Sequence, residues 1–323
     1  MPPCSGEENI RRGSLAGRME NKVSISIPPA YGKARNLGGS ILGKRNYRTH
    51  LFFLVVISVL WRCPTIVFAE ADNVQDVRPS ILAGRWYPES PPVLSKSIEA
   101  YLSRAISTRL NGKLTAIIVP HAGHMYSGQV AAQAYRLLTG RQYRRIVLLG
   151  PSHQVRFRGV SVNLQSGYET PLGIVPVDRN LGRRLLDAGS DIRWLREAHV
   201  LEHSLEIQLP FLQKVLGNFQ IIPILMGQQD YKTCSNLATT LKQVLGDTED
   251  TLILASSDLS HFYTYDQAKT LDFRFITRVR AVDPKGLAED LSMGKCEACG
   301  GGPVITTLLT AQYLGADRAI ILS

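Results

Sequence analysis

Seven short runs dominated by Val, Ile, Leu and Ala recur from residue 114 onward, and several are apolar from end to end. They are LTAIIVP (114–120), RIVLLG (145–150), GVSVN (159–163), IVPV (174–177), QIIPILM (220–226), TLILAS (251–256) and AIIL (319–322). A strand with no polar side must be covered on both faces. Between the runs lie stretches of helical periodicity at 93–106, 129–138, 180–188, 204–216, 231–245, 267–281 and 304–314. In the first of these, Leu94, Ile98, Tyr101, Leu102 and Ala105 share one face. Strands alternating with helices predict an α/β fold, a three-layer αβα sandwich with a mainly parallel or mixed central sheet. No Pro/Ser-rich linker and no internal repeat divides 77–323, so this stretch reads as a single domain.

Charge separates the first seventy residues from the rest. The net charge is +10, with 37 Lys/Arg against 27 Asp/Glu over 323 residues. Residues 1–70 hold ten basic and four acidic side chains, and the remainder holds twenty-seven and twenty-three, only +4. There is no basic stripe with interleaved aromatics in the body, so nucleic acid is not an expected partner. The five Cys are too few for a disulfide-built scaffold.

Residues 1–70 read as a basic leader. Lys44, Arg45 and Arg48 precede the apolar LFFLVVISVL (51–60), Arg62 and Pro64 interrupt it, and TIVFA leads to Glu70. A basic flank, about ten apolar residues and small residues at the exit describe a signal-peptide-like segment over 51–69. Val67 and Ala69 would stand at −3 and −1 of a cleavage before Glu70. The expectation is an exported protein, periplasmic or membrane-tethered, with membrane contact only through an uncleaved leader. A cytoplasmic protein is the alternative.

Ligands of open α/β sheets sit beyond the carboxyl ends of strands. Three strands here run straight into residues of metal-ligand type. LTAIIVP leads to His121 in PHAGHMYSG, RIVLLG to His153 in GPSH, and TLILAS to Asp258 and His261 in SSDLSH. A single His after a strand is more often structural, but the fold gathers these exits at one edge. In KCEACGGGP (295–303), Cys296 and Cys299 form a lone CxxC, read as half a zinc site, a redox pair, or a buried Cys in a Gly-rich turn. Pro303 suits a helix start, and a Cys just ahead of a helix N-terminus is expected to have a lowered thiol pKa. In EAHVLEHSLEIQLPFL (197–212), His203 suits a general acid/base or a hydrogen-bond partner behind the ligands, while Glu206 could simply answer a helix dipole.

PHAGHMYSG, GPSH, EHSLEIQLPFL, SSDLSH and the CGGGP turn, in that order, resemble the Memo family, whose bacterial members are called AmmeMemoRadiSam system protein B. VRPSILAGRWYP also resembles that family's start, so the likeness spans Val77 to Ser323. The family is similar in fold to class III extradiol dioxygenases. The resemblance implies a metal site of His121, His153 and Cys299, with Asp258 and His261 beside it and His203 in the pocket, these last three being the candidate catalytic residues. It also implies that the chain, ending just after AIIL, is truncated before a further strand.

Two imidazoles and a thiolate suit Fe(II), Cu or Zn better than Mg or Ca, which prefer oxygen. The cofactor expected is Fe(II), with Cu as the alternative. A Cys in place of the carboxylate of the usual two-His iron site makes a softer, more oxidisable set. The function implied is redox or dioxygenase-like chemistry, that of a non-haem metal-dependent oxidoreductase, on an unknown small substrate. The alternative is a non-enzymatic binding module that holds a peptide or protein partner in the same cleft.

Overall fold

The computed structural model describes residues 21–25, 76–246 and 250–323. The signal-peptide-like segment 51–69 and most of the leader lie outside the described residues. No described helix is long and apolar enough to cross a membrane.

The elements run β1 (Asn21–Ile25), β2 (Val77–Arg78), α1 (Pro91–Arg104), β3 (Lys113–Val119), α2 (His124–Arg136), β4 (Arg145–Pro151), β5 (Val160–Val162), β6 (Gly167–Thr170) and β7 (Gly173–Pro176). Then come α3 (Arg179–Ala188), β8 (Ile192–Arg193), α4 (Arg196–Val200), a 3-10 turn (Glu206–Gln208), α5 (Leu209–Val215), β9 (Gln220–Met226) and α6 (Tyr231–Leu245). The last are β10 (Thr251–Ser256), α7 (Tyr265–Arg280), α8 (Pro284–Ser292), α9 (Gly301–Tyr313) and β11 (Ala316–Ile321).

The main sheet has the order β11-β1-β3-β10-β4-β9-β5-β8. Its pairings are parallel except β5 with β9, so the sheet is mixed. A small sheet, β2-β6-β7, packs with α1, α2 and α5 against one face. Helices α3, α6, α7, α8 and α9 cover the other. This is the three-layer sandwich.

The continuous apolar runs follow from this double cover. In β4, Val147 and Leu149 enter one core, while Ile146 and Leu148 enter the other. Residues Ile253 and Ala255 of β10 likewise oppose Leu252 and Leu254. Successive side chains of a strand point to opposite faces, so a polar residue on either side would be buried without a partner.

Two expected helices are shifted. Helix α2 begins at His124, five residues before the expected start, because the Trp86 carbonyl accepts its N–H and the Gly123 carbonyl accepts those of Tyr126 and Ser127. The stretch 204–216 is not one helix but a loop, the 3-10 turn and the short α5. Pro210 cannot donate to a turn before it, yet it suits the first turn of a new helix. Helix α8 has no counterpart among the expected helices, although Asp283 caps it by accepting from Gly286 N and Pro284 opens it.

A buried ion pair fastens the start of this body to its middle. Arg78 and Glu206 are 1% and 0% exposed, and Nη1 lies 2.6 Å from Oε2. The same guanidinium donates to the carbonyls of His199 and Glu202. Glu206 also accepts from Ser80 Oγ, Tyr87 OH and the N–H groups of Ile81 and Leu82. Glu206 is therefore the hub of a buried network and not a dipole partner. Removing one member of such a pair strands the other charge, so Arg78→Ala is expected to lower stability by roughly 3–5 kcal/mol in denaturant unfolding.

His199 and His124 are buried and neutral. Burial, reinforced by Arg78, pushes His199 down to about 3, and burial pushes His124 down to about 4. Their folded values lie below the unfolded value near 6.5, so the unfolded chain binds more protons below that pH. Stability from these groups is complete above about pH 6.5 and is lost as pH falls toward their folded values. The denaturant midpoint is therefore expected to drop between pH 7 and pH 5, and less so in His199→Gln.

Candidate metal centre

Strands β3, β10 and β4 are adjacent in the sheet, although β10 follows β4 by about a hundred residues of chain. Their carboxyl ends therefore open side by side, and His121, Asp258 with His261, and His153 emerge there. Cys299 arrives from the opposite layer, on the turn before α9. That turn seats directly on the end of β10. A Cβ on Gly300 would run into the Ser256 carbonyl oxygen. Its N–H is taken by Ser257 Oγ at 3.0 Å. Across the site, a Cβ on Gly150 would lie 2.6 Å from Ser204 Oγ.

His121, His153 and Cys299 each offer a ligand atom within 4.8 Å of the other two. Cys299 Sγ is 3.1 Å from His121 Nε2. Bonds of about 2.0–2.3 Å to a tetrahedral ion bring such atoms to roughly 3.5 Å apart, so small movements suffice.

The hydrogen bonds fix which nitrogens face the cluster. Ser256 Oγ donates its one proton to Ser204 O at 2.6 Å and accepts from Gln208 Nε2 at 2.7 Å. Toward His121 Nδ1, 3.0 Å away, it can only accept. His121 therefore carries its proton on Nδ1, and Nε2 keeps its lone pair. Glu202 Oε1 is 2.9 Å from His153 Nδ1. Burial opposes ionisation of Glu202, but the hydrogen bond from His153, the neighbouring imidazoles and Ser204 N–H outweigh it and bring the carboxyl down to about 2. A carboxylate only accepts, so His153 is also protonated on Nδ1.

The thiol departs from expectation. Burial first, and then the charge of Asp258, push Cys299 up to about 12, despite its place ahead of a helix N-terminus. Desolvation of the thiolate here exceeds what the helix end and the nearby N–H groups return. Its proton points to His121 Nε2 at 3.1 Å in preference to Asp258 O at 3.6 Å. The other half of the CxxC is separate: Cys296 is 2% exposed within the core, and burial raises its thiol to about 11.

Asp258 braces this arrangement. Its Oδ1 accepts His121 N–H at 2.8 Å, Oδ2 is 3.9 Å from His121 Nε2, and its own N–H donates to Cys299 Sγ at 3.2 Å. The His203 ring stacks on His153 at 4.4 Å and lies 4.6 Å from Trp86. Burial, with His121 nearby, pushes His203 down to about 3. His261 lies at the rim, its side chain 36% exposed, with Nδ1 3.9 Å from Glu297 Oε1. It is not part of the tight cluster. Nothing in the sequence marks Glu202, Gln208 or Ser256 as orienting a ring; each sits beside or within a motif, but its spacing does not show which ring it meets.

An α/β sandwich with two imidazoles and a thiol at its strand ends defines the class. The comparisons narrow it: residues 78–323 match the profile of Memo-like proteins. A MEMO1 family protein of Methanothermobacter thermautotrophicus is 32% identical over 254 residues, covering 76% of this chain and 92% of that one. One from Ignicoccus hospitalis is 34% identical over 257 residues (76% and 90%), and one from Aquifex aeolicus 32% over 249 (76% and 90%). The chain belongs to the Memo-like family.

The seat of the Cys299 turn has no slack for a methyl group. Gly300→Ala is expected to cost roughly 1–3 kcal/mol by overpacking, read from denaturant unfolding. An unchanged midpoint would show that the turn yields freely.

Proposed function

We propose that the chain is a metal-dependent redox protein in which His121, His153 and Cys299 hold Fe(II), with copper the alternative ion. One observation carries this reading. Both imidazoles have Nδ1 committed to an acceptor, so each keeps its Nε2 lone pair for an ion, that of His121 facing the Cys299 thiol at 3.1 Å, and each ring offers a nitrogen within 4.8 Å of the Cys299 sulfur. This donor set fits a soft or borderline first-row ion. When bound, such an ion supplies electron transfer to or from a small organic substrate or an oxygen species.

The chain's own groups do the rest. Cys299 gives up its proton on ligation, as any coordinating thiol must. Asp258 holds the His121 and Cys299 backbones in register. His203 turns Nδ1 toward Glu202 at 3.3 Å, which leaves its other nitrogen as the one a ligand could meet, the position of a proton donor or acceptor. His261, at the rim, is the second candidate for that task.

A binding module is the second reading, favoured by exposed apolar side chains on the motifs that carry the site. Met125, Tyr126 and Phe262 are 76%, 66% and 83% exposed, and Phe262 has a left-handed backbone with φ 63°. A strained aromatic beside such a site is suited to contact a partner.

Anaerobic titration with Fe(II) separates the two. The full chain is expected to take up one equivalent, whereas His121→Ala and His153→Ala take up none while keeping the circular dichroism of the native fold. Equal metal content in variants and native protein would refute the redox reading. The spectrum of the Fe(II) protein with nitric oxide is expected to change in Cys299→Ser, and an unchanged signal removes Cys299 from the ligands.

A further inference from the structure

A second constellation overlaps the first. His153, Glu202 and His203 also bring ligand atoms within 4.8 Å of one another, and two imidazoles with one carboxylate form an iron-binding set in their own right. The hydrogen bonds argue against it. Glu202 Oε2 accepts His153 N–H at 2.6 Å, and Oε1 accepts His153 Nδ1–H at 2.9 Å. The N–H groups of His203 and Ser204 both reach Oε1 at 3.0 Å. Oε1, the oxygen that faces both rings, already carries three N–H donors and has no lone pair left for an ion, while Oε2 carries the fourth donor. The Glu202 side chain is 1% exposed, so no water would replace a donor that an ion displaced.

We propose that Glu202 is a positioning residue outside the ligand set. It keeps the proton of His153 on Nδ1, leaves Nε2 for the ion, and locks the GPSH loop to the loop bearing His203. Its functional consequence rests on the metal site proposed above; its effect on the rings does not. The carboxylate is itself fixed from behind, because Arg78 Nη2 donates to the Glu202 carbonyl at 2.8 Å. One side chain thus gathers two backbone segments and both of their imidazoles. A residue that only filled space would leave the protonation site of His153 unaffected.

The test is long-range proton–nitrogen NMR of the histidine rings in the full, metal-free chain at neutral pH. His153 is expected as a single form protonated at Nδ1, and finding the proton on Nε2 overturns the proposal with no variant needed. In Glu202→Gln one acceptor oxygen is replaced by a donor, and His153 is expected to become a mixture of the two forms. Fe(II) affinity is expected to fall about 10–100-fold with the one-to-one stoichiometry kept, the usual cost of losing a partner behind a ligating His. A Gln variant with unchanged ring signals and affinity within twofold overturns the proposal. One that binds no metal, like His121→Ala, overturns it differently, by making Glu202 a ligand. If the native chain binds no metal yet the ring signals respond as stated, the positioning role stands and the redox reading fails.

Discussion

The buried pair of Arg78 and Glu206 is the constraint on which the site depends. It draws together the first strand of the body and the segment 202–208 without admitting water. From that segment, Glu202 reaches His153, His203 stacks on it, and Gln208 holds the serine that orients His121. Both ring protons are therefore set by one short stretch of chain. A shift of that stretch by an ångström would release both histidines at once. A buried charge pair is a poor source of net stability, but here it specifies the position of everything attached to it.

Topology supplies the other half. β10 inserts between β3 and β4, so two exits distant from each other in sequence open beside a third. The thiol comes from the helical layer on the far side and reaches the cluster only because Gly300 lets its turn touch the end of β10. At these strand ends, desolvation dominates the electrostatics. It keeps His121 and His203 neutral and Cys299 protonated. A cation entering there would meet lone pairs and an exchangeable thiol proton, with Asp258 nearby to offset its charge.

Much of the sandwich could be read from the chain. The runs at 220–226 and 251–256 and the helix at 231–245 coincide with β9, β10 and α6, because both-face burial and a clean 3.6-residue period leave little choice. The strand exits were legible for the same reason, since a polar residue ends each apolar run. The stretch 204–216 misled because Leu205, Leu209 and Leu212 mimic an amphipathic helix, while Glu206 and Gln208 turn inward to partners far away in sequence. Those partners, Arg78 and Ser256, lie 128 and 48 residues away. The raised thiol of Cys299 was equally hidden, because burial by another layer has no local signature. Glu202 was visible only as a neighbour of His203.

In the proposed site a sulfur and two imidazoles share one ion. X-ray absorption of the full chain loaded anaerobically with one equivalent of Fe(II) reads that directly. The expected first shell holds one sulfur at about 2.3 Å with imidazole nitrogens, and the sulfur is lost in Cys299→Ser. A shell of oxygen and nitrogen alone in the native chain would contradict it.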